Sequence, residues 1–116
     1  MDNLREELEA YGVDMAVTLD RFVDDWDLYV SCLEAFKEET SFADLRAALD
    51  KENYTEAFDA AHTLKGVSGN LGMTPLYEVT CSMVETLRSG ENEDLEGKYA
   101  AIMAQKEVID KILEGI

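Results

Sequence analysis

The sequence predicts an all-α fold, an antiparallel up-and-down four-helix bundle with additional short N-terminal helices. Three observations carry this. Pro75 is the only proline in 116 residues. No stretch alternates apolar and polar residues with the period of two that a half-buried strand requires. Apolar residues recur instead at i, i+3, i+4 and i+7, the spacing of helices that bury one face against a common core. Links between these segments are short, which sets consecutive helices antiparallel. A chain of this length forms one domain with one core, covering 1–116. It contains no internal repeat and no low-complexity tract. The Met1 start and the orderly last helix favour a standalone protein or a complete domain.

Each element has its own local signals. A first helix covers Leu4–Tyr11, and Gly12 ends it. Asp14 caps a second, Met15–Phe22. A longer helix over Trp26–Glu39 turns Tyr29, Val30, Leu33 and Phe36 inward. Ser41 caps the next, with Asp44 three residues on as a weak capping box, and Leu45 and Leu49 face the core. Asn53 caps a helix that runs to Leu71, where Gly72 stops it. Thr74-Pro75 reads as a cap followed by proline at the first helical position, opening a helix to Arg88 that presents Leu76, Val79, Met83 and Leu87 and stops at Gly90. Glu91, Glu93, Asp94 and Glu96 form a loop and an acidic helix start that suits the helix dipole. The last helix, Asp94–Leu113, directs Tyr99, Ile102, Val108, Ile109 and Ile112 inward.

The fifth of these helices holds the only histidine, His62, in Ala61-His62-Thr63-Leu64-Lys65-Gly66-Val67-Ser68-Gly69-Asn70-Leu71-Gly72. A helix turns roughly 100° per residue, so with His62 at zero, Gly66 falls at roughly +40°, Gly69 at roughly −20° and Lys65 at roughly −60°. The buried stripe of Tyr54, Ala57, Ala61, Leu64, Ser68 and Leu71 centres roughly 120° away. Glu56, Asp59, Thr63 and Asn70 lie opposite that stripe. His62 therefore sits at the edge of the core with its ring in water, Lys65 on one flank, a glycine floor beside it and a half-exposed Phe58 one turn before. Each helical glycine costs roughly 1 kcal/mol relative to alanine. Two such costs on the histidine's own stripe point to a bare surface that lets another protein's backbone approach the imidazole.

A free imidazole titrates near pH ~6.5, so a water-exposed one is largely neutral at cellular pH and keeps a lone pair on one ring nitrogen. That nitrogen is a competent nucleophile toward a phosphoryl group. A lysine one turn away offsets the arriving negative charge. For a lone helical histidine the ordinary reading is a solvated surface residue, and for Lys65 a solvated charge; the paired glycines, together with the family resemblance that follows, tip the balance the other way.

The stretch resembles the histidine-containing phosphotransfer family of two-component phosphorelays, whose motif reads His-x-x-Lys-Gly followed by small residues and Leu-Gly. His62, Leu64, Lys65, Gly66, Ser68, Leu71 and Gly72 stand in register with it. Leu76, Cys81, Val84 and Glu85 resemble the family's next helix, and Asp27-Leu28-Tyr29 leading into Leu33 and Phe36 its earlier one. The likeness covers most of the chain. Val67 departs from the family's usual Ala or Ser, on the far side of the helix. The resemblance implies that His62 accepts a phosphoryl group from the aspartyl phosphate of one response-regulator receiver domain and passes it to another. It further implies that Lys65 steadies the phosphate and that Phe58, Gly66 and Gly69 form the docking surface. No autonomous kinase activity and no cofactor are implied for this chain, since the magnesium and catalytic carboxylates belong to the receiver; a hybrid sensor histidine kinase is a further expected partner.

Composition narrows the alternatives. The formal net charge is −16, with −11 in residues 1–58 and −5 in residues 59–116. Such a chain repels nucleic acid and anionic membranes. No apolar run is long enough for a signal peptide or a span, so a cytoplasmic monomer is expected. Cys32 and Cys81 read as reduced core thiols, and two cysteines with one histidine and no CxxC spacing argue against zinc. A di-metal carboxylate bundle needs two Glu-x-x-His motifs, and one histidine cannot supply them. A Cys–His nucleophile pair is disfavoured because neither cysteine is near His62 in sequence. The alternative within the same fold is a module that binds receivers without phosphotransfer, which would need neither His62 nor Lys65.

Overall fold

The computed structural model describes residues 3–116; Met1, on which the standalone expectation partly rests, and Asp2 lie outside the described residues. Seven helices follow one another: α1 (Leu4–Tyr11), α2 (Met15–Arg21), α3 (Trp26–Phe36), α4 (Ser41–Asp50), α5 (Tyr54–Asn70), α6 (Thr74–Ser89) and α7 (Leu95–Leu113). No strand occurs among the described residues. Helix α5 packs between α4 and α6, α6 packs on α7, and α7 closes the bundle against α4, with α1 resting on α7. The molecule measures 42 × 24 × 20 Å.

Local chemistry explains most boundaries. Asp14, Asp25 and Asn53 each accept the backbone N–H three residues on, from Val17, Leu28 and Glu56, and so cap α2, α3 and α5. Ser41 and Thr74 are not caps. Each is the first helical residue, and Thr40 and Met73 take the cap position with no side-chain cap bond. The Glu39 carboxylate does the work at α4, accepting from the Ser41 N–H at 3.2 Å and hydroxyl at 2.7 Å. Helix α3 also ends earlier than its periodicity suggests, at Phe36.

The core runs the length of the bundle. Tyr29, Leu33, Leu45, Leu64, Met83 and Ile102, one or more from each of α3 to α7, are wholly buried. Burying one such side chain is worth roughly 1.5–3 kcal/mol. Val108 corrects the inward stripe read for the last helix: it is 45% exposed, while Ile102, Ile109 and Leu113 are buried. Seven- and eleven-residue steps from Ile102 keep one direction on a helix, whereas a six-residue step turns away by roughly 120°. Cys32 and Cys81 are free thiols and only half-buried. Across the last seam, Arg46 of α4 holds Glu96 of α7 with two bonds, 2.8 and 2.7 Å.

Candidate functional site

Helix α5 presents His62 to solvent. Its inner face buries Ala57, Ala60, Ala61, Leu64 and Ser68, and Tyr54 is half-buried. Small alanines let α4 and α6 come close on either side, so α5 sits centrally with one narrow stripe left outside. Glu56, Asp59, Thr63 and Asn70 are exposed as expected, and Val67 is half-buried against the core.

Phe58, one turn before His62, stacks on the imidazole, with ring centroids 5.8 Å apart and planes inclined by 27°. The Arg88 guanidinium of α6 lies 5.6 Å from the Phe58 ring centroid and pairs with Glu85. The aromatic shoulder is thus half-buried, ordered by α6 and close to a positive charge. On the other side, His62, Lys65, Gly66 and Gly69 line an open cleft of about 730 Å³. Its further walls come from Val17, Thr18 and Arg21 of α2 and from Thr74 and Tyr77 of α6.

The two glycines differ. A Cβ added to Gly66 would meet no atom within 4 Å. A Cβ on Gly69 would lie 3.1 Å from two ring carbons of Tyr77. The bare floor read from the sequence is therefore open at Gly66 only, and at Gly69 the missing side chain makes room for an aromatic ring of the next helix.

Two interior glycines leave the C-terminal end of α5 weak in helix propensity. Tertiary bonds hold it. Arg21 Nη1 donates to the carbonyls of Gly69 at 3.0 Å and Asn70 at 3.4 Å. Buried Tyr29 donates its hydroxyl to the Leu71 carbonyl at 2.8 Å, and burial pushes its phenol up to about 12. Within α5 itself the Ser68 hydroxyl donates back to the Leu64 carbonyl at 2.7 Å. The chain then turns through Gly72 at φ +75°, where the Met73 N–H reaches the Ser68 carbonyl at 2.9 Å. A side chain on Gly72 would run into Thr18, whose Oγ1 lies 2.2 Å from the Cβ position.

These ties place a cationic helix flank and an exposed imidazole on a rigid surface. Arg21 and Tyr77 were not singled out in the sequence, and Tyr29 was read only as an inward-facing residue of the third helix. They act on backbone or on a glycine, and a carbonyl has no residue-specific signal by which its partner could be found. Lys65 and His62 share the cleft as their spacing implies. Among the described residues no group of three or more histidine, cysteine or carboxylate side chains is arranged to hold a metal ion, and no helix is long and apolar enough to cross a membrane.

Comparison with known proteins finds no curated protein and no solved structure with a significant match. The family model of the Hpt domain does match, over residues 31–115, from within α3 past the end of α7. An exposed histidine on the central helix of an all-α bundle and a match over most of its length lead to one conclusion: the chain belongs to the Hpt domain family, whose role is histidine phosphotransfer in phosphorelays.

Proposed function

We propose that His62 is the phosphoacceptor and that the protein shuttles a phosphoryl group between the phosphoaspartates of receiver domains. The observation that carries this reading is the exposure of the sole histidine beside Lys65 and the unobstructed Gly66 on one cleft. In the transfer step a neutral imidazole nitrogen attacks the phosphorus of the aspartyl phosphate. The P–O bond to the receiver breaks, its electron pair stays on the leaving carboxylate, and a P–N bond forms. The second ring nitrogen keeps its proton, so the product is a phosphoimidazolium. The reverse step, onto a second receiver, regenerates His62.

Each neighbour has a defined part in this scheme. Lys65 sets a positive charge beside the incoming phosphoryl oxygens. Phe58 stacks on the ring and limits its orientations, which favours in-line geometry. Gly66 leaves space for the receiver's backbone. The magnesium ion and the acidic residues that bind it are supplied by the receiver, and this chain acts as a carrier without kinase activity, as a monomer in the cytoplasm.

The test is to incubate the full chain with a panel of phosphorylated receiver domains and assay for acid-labile, base-stable phosphate. Wild type becomes labelled and His62→Gln does not, while both unfold at the same temperature, because exposed substitutions usually change stability by less than ~0.5 kcal/mol. Label on His62→Gln at wild-type level refutes the assignment. Tight receiver binding with no label on wild type supports the receiver-binding module instead.

A further inference from the structure

One wall of the His62 cleft lies outside the segment matched by the family model. The match begins at residue 31, whereas Val17, Thr18 and Arg21 of α2 line the same cavity as His62, Lys65 and Gly66. This wall is fixed in place. Asp14 caps α2, Arg21 bonds the last carbonyls of α5, and the buried Thr18 fits against Gly72.

Val17 nevertheless leaves 53% of its surface in water, and Tyr77, on the α6 wall, leaves 36%. Single exposed apolar side chains are ordinary. Here two of the five large exposed ones among the described residues border one cleft, and that cleft holds the phosphoacceptor candidate. The charge is also distinctive. In a chain of net charge −16, the lining carries Arg21 and Lys65 against a single carboxylate, Asp14, which is engaged in capping. The surface suits a partner that is negative where the phosphoryl group sits and apolar at its margin.

We propose that α2 is a receiver-selecting wall. Val17, together with Tyr77, contacts the receiver around its phosphoaspartate and sets which receivers transfer efficiently. This rests on the reading that His62 takes its phosphoryl group from a receiver. The chemistry at the imidazole is the same for every receiver, so preference among them must be read away from the reacting atoms. Even a small signalling interface buries on the order of 500 Å² per partner, so the glycine-interrupted stripe of α5 must share the contact with flanking helices.

Val17→Asp in the full chain tests this. The position is in the first turn of α2, where a carboxylate suits the helix dipole, so the fold is kept. Three measurements are compared: transfer from each of a panel of phosphorylated receivers, labelling by phosphoramidate, and thermal unfolding. Phosphoramidate needs no docking; its P–N bond breaks, ammonia leaves, and the phosphoryl group joins His62. The expected result is a fall of at least tenfold in kcat/KM with the best receiver, carried mainly by KM, with an altered order of preference across the panel and recovery in Val17→Leu. A fall confined to receivers and unequal among them supports the wall, and an equal fall with every receiver overturns its selecting role. Unchanged transfer from every receiver, or an equal fall with phosphoramidate, overturns it. If no receiver labels wild type while phosphoramidate does, the receiver reading itself fails and takes this proposal with it.

Discussion

Gly66 and Gly69 lie three residues apart on the same stripe, and the structure gives them different room for a side chain. At Gly66 the space beyond the Cβ is empty. Replacing a solvent-exposed helical glycine by glutamine recovers most of the propensity cost, up to ~1 kcal/mol. For a domain of this size that is a rise in melting temperature of roughly 4 °C. The same side chain stands one turn from His62, where a receiver must place its phosphoryl group in line with the ring nitrogen. A displacement of about 1 Å at the reacting atoms costs on the order of a hundredfold in rate. Gly66→Gln is therefore expected to be more stable than wild type and at least tenfold slower in transfer. At Gly69 the same propensity gain is opposed by the Tyr77 ring, 3.1 Å from the Cβ position. The ring must give by a few tenths of an ångström to admit glutamine, which offsets part of that gain, so Gly69→Gln is expected to melt below Gly66→Gln. Circular dichroism melts and single-turnover transfer from a phosphorylated receiver give both readouts. If Gly66→Gln melts well below wild type, the glycine serves packing and the assignment of an open floor is wrong. If it melts higher and transfers normally, the receiver does not dock over Gly66.

Three further outcomes follow from the same structure. Lys65→Ala should leave His62 phosphorylatable but slow transfer roughly tenfold, the value of about 1 kcal/mol for an exposed charge-assisted contact; a rate equal to wild type at both low and high salt would show a solvated lysine. Val23 closes α2 with φ +50° while 83% exposed, and the Asp24 N–H reaches back to the Leu19 carbonyl at 2.8 Å in the turn where glycine is usual. Val23→Gly should therefore stabilise the domain by about 1 kcal/mol in chemical denaturation, and a loss of stability would contradict the strain. The Tyr29 phenol is held near 12 against an ordinary 10.0, so between those values the unfolded chain releases a proton that the folded chain retains. Stability should fall as pH rises through that window, with roughly 2–3 kcal/mol from Tyr29 and a further share from Tyr11, whose phenol burial likewise pushes up to about 12; Tyr29→Phe should reduce the fall without abolishing it, and equal pH profiles for the two proteins would refute it.

The helices and the stripe that carries His62 were legible before any packing was known. Both are matters of local geometry: a period near 3.6 fixes which residues share a face, and carboxylate or amide caps at Asp14 and Asn53 mark starts because they bond their own N–H three residues on. Stops were legible at Gly12, Gly72 and Gly90, where the backbone takes positive φ and glycine announces it. At Val23 and Glu52 the same left-handed turn is imposed on residues that do not prefer it, so no glycine marks it, although the second helix was read to end at Phe22, one residue from the observed Arg21. Phe58, His62, Lys65 and Gly66 came out in their expected relation because one helix carries them all. Everything contributed by another helix was decided by tertiary structure: the Tyr77 ring over Gly69, the α2 wall of the cleft, and the Arg21 and Tyr29 donors that secure the end of α5. Helical periodicity fixes a face but not the neighbour it meets, and a backbone carbonyl accepts from any donor the packing brings to it.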